Sequence, residues 1–283
     1  MANISQQVFA YIEGNIDSSL TLEQVSAHIG LSAFHLHRCI KRETGITLKA
    51  LVRHIKMYKA CFLLAYRQHL SVTDVAMIVG YNGSDSFSRA FRQYYAMSPS
   101  YFRDNPSSYT IQPLHTFLLP HLLSRFEQGI EVTVRSVNER HLFCMMHKGS
   151  PENVVNTVRA FIHWRKAHGF GKSKYRTFNL HYSAPNTPPE AFTMAVGVEV
   201  PKTLLNPTPE TVREVNLKPS KYACMQVEGS DYHFTRVFSY FFEHWLPASS
   251  YTVTDGPVVI ERKAFYPDVA LDKAVSEIMI PIQ

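Results

Sequence analysis

The sequence predicts a multidomain chain, with an all-α first half holding two helix-turn-helix units and an α+β second half built from a duplicated strand–helix–strand–strand unit. Three observations carry this prediction. A pattern of cap, apolar helix, glycine and second helix occurs twice, about fifty residues apart. Near Gly129 the apolar period changes from that of a helix to the alternation of strands. The string "LFCMMHKGS" (142–150) then returns as "YACMQVEGS" (222–230), with Cys, Met, Gly and Ser kept.

The elements follow in order. Ile4, Val8, Tyr11 and Ile12 keep a helical period. Thr21-Leu22-Glu23-Gln24 starts a capping box ahead of Val25 and Ile29, and Gly30 stops that short helix. Ser32 caps the next helix, which runs from Phe34 to Glu43. "TLKALVRHIKMYKACFLLAY" reads as a long amphipathic connector in which Arg53, Lys56 and Lys59 lie at three-residue spacing. Ser71-Val72-Thr73-Asp74 caps again, Val75 and Val79 follow, Gly80 stops the helix and Tyr81-Asn82-Gly83 turns the chain. "SDSFSRAFRQYY" (84–95) is the helix after that turn, aligned so that Arg89 matches Arg38.

That last helix places Phe87, Phe91 and Tyr94 on one edge and Ser84, Asp85, Ser86, Arg89 and Arg92 elsewhere. A helix that buries an aromatic edge in a small domain and keeps arginine among small polar groups suits the second helix of a helix-turn-helix. Such a helix lies in the major groove and reads base edges and phosphates. Two units in one chain can read two groove faces about one turn, ~34 Å, apart.

Charge agrees with a polyanion partner. The chain has a net charge of +6, and from Phe34 to Arg67 eight basic residues (Arg38, Lys41, Arg42, Lys49, Arg53, Lys56, Lys59, Arg67) stand against one acid, Glu43. Residues 111–283 carry 18 basic and 16 acidic residues and are nearly balanced. Cys39, Cys61, Cys144 and Cys224 form no CxxC pair and no zinc spacing, so no metal or cofactor is expected. With no signal peptide pattern and no apolar span, the expectation is a cytoplasmic protein with no membrane contact.

Pro106, Pro113 and Pro120 mark a linker, giving expected domains of 1–106, a linker over 107–128, and 129–283. The second domain reads as strands "IEVTVRSV", "HLFCMMHKG", "YRTFNLHYSA", "AFTMAVGVEV", "KYACMQVEG", "PVVIERKAF" and "SEIMIPI", with helical patterns near 151–168 and 231–246. A duplicated α+β unit creates a seam along which a ligand groove can lie. Glu261 stands inside the apolar run Val258-Val259-Ile260. A carboxylate there faces a cavity or an ion-pair partner such as Arg262, because burying it unpaired is costly. Glu199 in "VGVEV" is the weaker candidate.

On "LTLEQVSAHIGLSAFHLHRCIKRETG", "RHIKMYKACFLL" and "SVTDVAMIVGYNGSDSFSRAFRQYYAMSPSYFR", residues 1–105 resemble the DNA-binding domain of the AraC/XylS family of transcription regulators. The chain departs from that family at Ala96, where the second repeat commonly has the glycine that Gly45 supplies in the first. The resemblance implies DNA contacts from Phe34, His37 and Arg38 in the first unit and from Ser84, Asp85, Ser86 and Arg89 in the second. Phosphate contacts are expected from Arg53 and Lys56. It implies double-stranded DNA and RNA polymerase as partners, binding as a monomer, and activation as the sign of regulation.

On "VEGSDYHFTRVFSYFFEHWLP", "DGPVVIERKAFYP" and the closing "EIMIPI", the second half resembles the GyrI-like effector-binding domain. That resemblance implies a small-molecule effector, held by Glu261 in a pocket whose aromatic walls favour amphipathic cations. The wall candidates are Trp164, Phe178, Tyr182, Trp245 and Tyr266, most of which suit a core equally well. Lys263 stands where the family usually has an aromatic residue. Enzyme readings find little support. There is no G-x-S-x-G, P-loop, dinucleotide fingerprint or HExxH, and the Pro-Cys-His-Arg string of AraC-type repair proteins is absent. Hydrolysis or protein interaction by the second domain are the alternatives to effector binding.

Overall fold

A computed structural model describes residues 4–18, 20–107, 129–184, 187–204, 211–231 and 233–283. The chain forms two compact units, Met1–Gln128 and Gly129–Gln283. The linker expected over 107–128 lies, apart from Ser107, outside the described residues.

The first unit is helical: α1 (Ile4–Gly14), α2 (Leu22–Ile29), α3 (Ala33–Thr44), α4 (Leu48–Tyr66), α5 (Val72–Ile78), α6 (Ser84–Tyr95) and α7 (Pro99–Asp104). The caps act as the sequence predicts. Thr21 and Ser71 form reciprocal capping boxes with Gln24 and Asp74, and Ser32 accepts from the His35 N–H. Gly30, Gly45 and Gly80 take positive φ (75°, 73° and 70°), the left-handed conformation that ends a helix without a Cβ clash. Ala96 takes the same conformation (φ 57°) at the end of α6. The first helix pair meets α4 through α3 and the second through α5, and α7 packs on α4 as well. Phe87 and Phe91 are fully buried, and Phe91 meets Phe102 of α7. Tyr94 is half-buried and its hydroxyl bonds His54 of α4.

The second unit is one antiparallel sheet with strand order β1-β6-β8-β7-β3-β4-β2-β5. The strands are β1 (Thr133–Val137), β2 (Arg140–Lys148), β3 (Thr177–His181), β4 (Thr193–Glu199), β5 (Val212–Leu217), β6 (Ser220–Glu228), β7 (Val258–Ala264) and β8 (Val275–Ile282). Helix α8 (Val154–Ala167) joins β2 to β3, and α9 (His233–Tyr240) follows β6 and runs into a π-helical turn, Phe241–Trp245. The order reads the same from both ends, as a twofold duplication requires. β3 and β7 meet at the centre, and each half lends its first strand to the edge of the other: β1 pairs β6, and β5 pairs β2. The sequence reading has seven strands here and lacks β5, an edge strand whose run Val-Arg-Glu-Val-Asn-Leu lacks clean alternation.

Alternation along the strands divides the sheet into two faces. Phe143, Met145, Val196 and Val198 pack with Phe161, Trp164 and Phe170 on the face covered by α8. Leu142, Cys144, Phe178, Leu180, Tyr222, Cys224, Val259 and Met279 cluster on the other face, drawing on both halves. Gly197 makes this face possible next to Phe178. A Cβ there would meet the Cys144 sulfur at 2.6 Å, so only glycine leaves room. Arg165 holds the segment after α8. It is 6% exposed, its Nε donates to the Phe170 carbonyl (2.7 Å), and its other nitrogens donate to the Thr177 hydroxyl (2.7 Å) and the Tyr175 carbonyl (3.3 Å).

Candidate nucleic-acid interface and effector site

On α3 the buried residues are Leu36, Cys39, Ile40 and Thr44, which turns the opposite side outward. Phe34 is 72% exposed, Arg38 is exposed and His37 is half-buried. The Arg38 guanidinium lies 5.8 Å from the centre of the Phe34 ring, four residues back. An aromatic ring so open to water has no role in the core of its own unit. Together the pair presents an apolar surface that suits a thymine methyl and a donor fork that suits guanine. Lys41 and Arg42 extend the exposed basic side toward the helix end.

On α6, Asp85 and Arg89 are exposed, and Ser84 and Ser86 are half-buried. The Ser86 hydroxyl donates to the Gly83 carbonyl (3.0 Å), within the first turn of its own helix. Gly83, at the N-cap, makes no side-chain cap, and its carbonyl also accepts from the Phe87 N–H (3.2 Å). Arg92 and Gln93 are exposed one turn further on.

The three connector cations do not share a face. Arg53 is exposed and Lys59 half-buried, but Lys56 is only 9% exposed. Its ammonium donates to the carbonyls of Gly80 (3.1 Å) and Ser18 (3.4 Å) and lies over the Tyr81 ring. The phosphate contact expected of Lys56 is therefore corrected: that charge is already spent on two backbone oxygens. Burial lowers its pKa, partly opposed by Asp17. Three-residue spacing cannot reveal this, because it fixes the angle around α4 only loosely and says nothing of what α1 and α5 place there.

In the second unit, cross-strand register builds the site. Gly197, Phe178, Glu261 and Glu277 lie directly opposite one another on β4, β3, β7 and β8, so their side chains share a face. Glu261 is 6% exposed and stands beside the fully buried Phe178. Its cation is Arg176, two residues before Phe178 and so on the same side. One Arg176 terminal nitrogen donates to the two Glu261 oxygens at 3.3 and 3.4 Å, while Nε and the other terminal nitrogen approach a Glu199 oxygen at 2.7 Å. Arg140 reaches the same Glu199 oxygen at 3.4 Å. The guanidinium carbons of Arg140 and Arg176 lie 5.0 and 5.5 Å from the Phe178 ring centre. Arg262, the alternative partner for Glu261, pairs with Asp231 instead.

The expected aromatic walls divide. Phe178 adjoins Glu261, and Tyr182 lies four residues further along the same strand direction, 42% exposed. Trp164 belongs to the cluster under α8 on the opposite face, and its placement beside Glu261 is corrected: the alternation that puts Phe178 on one side puts Phe143, its packing partner, on the other. Trp245 stacks on Phe241 and Tyr251, within its own helix and the turn after it. Tyr266 is buried in the segment after β7. A shallow cleft crosses the seam between Val137, Arg140, Leu217, Tyr222, Val259 and Met279; Glu261 is not in its wall, and Arg140 is the residue that it shares with the charged row. The Arg140 Nε is buried and has no hydrogen-bond partner among the described residues. Glu277 is covered by Arg135 (2.8 Å) and by Lys263 (3.4 Å). Among the described residues no group of three metal-ligating side chains occurs, and no helix is long and apolar enough to cross a membrane.

Comparison with known proteins gives the class first. Residues 25–105 match a helix-turn-helix domain family, of the AraC type, and residues 130–283 match the family described as a GyrI-like small molecule binding domain. The second match takes in more than half of the chain, which belongs to the GyrI-like family. Individual relatives follow. The Right origin-binding protein of Escherichia coli (strain K12) is 30% identical over 124 residues, 42% of this chain and 43% of its own length. The HTH-type transcriptional activator AarP of Providencia stuartii is 28% identical over 108 residues, 38% of this chain and 79% of its own. Among solved structures, a DNA-binding transcriptional dual regulator from Escherichia coli K-12 is 26% identical, with a TM-score of 0.35, covering 37% of this chain and 93% of its own. The chain thus spans less than half the length of the first of these relatives.

Proposed function

We propose that the chain is a DNA-binding transcription regulator, an activator, whose first unit reads two adjacent major-groove segments and whose second binds a small-molecule effector. The observation that supports it most is the pair of exposed faces on α3 and α6, each behind a capped helix and a glycine turn, with α3 packed on α4 and α6 joined to it through Tyr94 and His54. At 1.5 Å per residue the 19 residues of α4 span about 28 Å. That is near the ~34 Å that separates equivalent groove faces one turn apart.

In this reading Phe34, His37, Arg38, Ser84, Asp85, Ser86 and Arg89 meet DNA in the grooves and Arg53 meets phosphate. The first unit does more of the specifying, because its contacts are larger and Ser86 is partly engaged in its own helix. The chain acts as a monomer on DNA in the cytoplasm, touches RNA polymerase there, and carries out no catalytic step. Its working domains are 1–106 and 129–283, joined through 107–128. The effector binds on the sheet face that carries Glu261, Phe178 and Tyr182.

Selection from random duplexes tests the DNA reading directly. The expected result is one enriched site with two unlike half-sites centred about 10 base pairs apart. Enrichment of a single short half-site, or of nothing above background, defeats it.

A further inference from the structure

We infer that Arg176 is a tethered internal cation that fills the place an external cationic group would take at Glu261, and so sets which effectors the domain accepts. The inference rests on the reading above that Glu261 lies in the effector site.

Arg176 makes both contacts by which such a site holds a cation. It touches the Glu261 carboxylate and lies over the Phe178 face, 5.5 Å from the ring centre. The local charges balance: Arg140 and Arg176 face Glu199 and Glu261. A bare carboxylate beside an aromatic ring would attract a cation, but this one is already neutralised. Net negative charge appears there only when Arg176 leaves.

The geometry also makes leaving cheap. The Arg176 side chain is 50% exposed, whereas that of Glu261 is 8% exposed, so the cation sits at the mouth and the carboxylate inside. Its contacts with Glu261 are the long ones (3.3 and 3.4 Å), and those with Glu199 are the short ones (2.7 Å). Arg176 can swing from Glu261 while keeping Glu199, so displacement gives up its two long contacts and keeps the short ones. Wild type therefore discriminates against simple cations. A ligand succeeds only if its apolar part adds enough burial to displace the arginine.

The test is calorimetric titration of the full chain with benzyltriethylammonium, an aromatic quaternary cation, with benzenesulfonate as the anionic control. The proteins are wild type, R176A, R176K and R176A/E261Q, with R176Q added should R176A not keep the near-ultraviolet spectrum and melting behaviour of wild type. R176A or R176Q is expected to bind the cation about tenfold or more tightly than wild type, the scale of one cation–π contact with a desolvated partner. R176K should stay near wild type, and R176A/E261Q should lose the gain. Equal binding by wild type and R176A, abolished by E261Q, leaves Glu261 as the site and overturns the role of Arg176. A gain that survives E261Q puts the cation elsewhere and overturns it as well. Absence of binding by every variant removes Glu261 from the effector site and the inference with it.

Discussion

Arg38 and Lys56 show what one residue's surroundings decide. Both are cations of the same basic stretch, 18 positions apart, and the sequence gives no means of ranking them. The structure leaves Arg38 in solvent beside an exposed ring and surrounds Lys56 with carbonyls. Their substitutions should therefore differ in kind. R38A should cost about 1–3 kcal/mol at the selected duplex, with much less loss on unrelated DNA, as anisotropy titrations on both would show. Uniform weakening on the two duplexes would reassign Arg38 to the phosphates. K56M should leave the slope of log K against log salt unchanged and lower the thermal midpoint. The carbonyls of Ser18 and Gly80 lose a charged donor there, a cost of about 1–3 kcal/mol. A slope reduced by about one unit would restore Lys56 to the DNA surface.

At the scale of elements the sequence was most legible where caps punctuate it. Thr21, Ser32, Ser71 and the glycines at 30, 45 and 80 mark helix limits because each solves a backbone problem that few residue types solve. Strand β5 was not legible, since an edge strand needs little apolar alternation, and its partner β2 is known only once the halves exchange strands. The proposed effector site was half legible. Glu261 stood out as a carboxylate in an apolar strand, but Arg176 did not, since its proximity comes from register between β3 and β7 and not from spacing. Trp164 was misplaced for the same reason: composition flags an aromatic residue without saying which side of the sheet it covers. Ala96 is an element-scale exception with a measurable consequence. It holds the left-handed conformation that glycine holds at the end of α3. Replacing it with glycine relieves about 1–2 kcal/mol of steric cost, against about 0.4–1 kcal/mol of added freedom in the unfolded chain. A96G should thus stabilise by up to about 1.6 kcal/mol, read as a raised denaturant midpoint at constant slope; an unchanged or lowered midpoint would show that the end of α6 carries no such strain.

For the molecule as a whole, acid should loosen both units through one histidine in each. His54 in the first unit has its pKa lowered by burial, helped by the neighbouring Arg53 charge, and its ring is joined to Tyr94 between α4 and α6. His181 in the second, at the end of β3, has its pKa lowered mainly by burial, with Arg262 acting in the same direction and Asp231 opposing. The sign follows from linkage. The folded chain holds these rings neutral, while the unfolded chain protonates them near pH 6.5, so below that pH the unfolded state binds more protons. The stability that each neutral ring contributes is complete above about pH 6.5, falls as pH drops through that value, and goes on falling until the lower folded pKa is reached. Ordinary carboxylates titrate near pH 4, below the interval from pH 7.5 to 5.5, which is centred on the ordinary histidine value. Scanning calorimetry across that interval should show the thermal midpoint falling with acid. H54Q and H181Q should each flatten part of the fall, even where the substitution itself lowers the midpoint at pH 7.5, because glutamine keeps polar contacts but cannot take the proton. A midpoint constant across the interval, or a double variant as acid-sensitive as wild type, would place the proton uptake elsewhere.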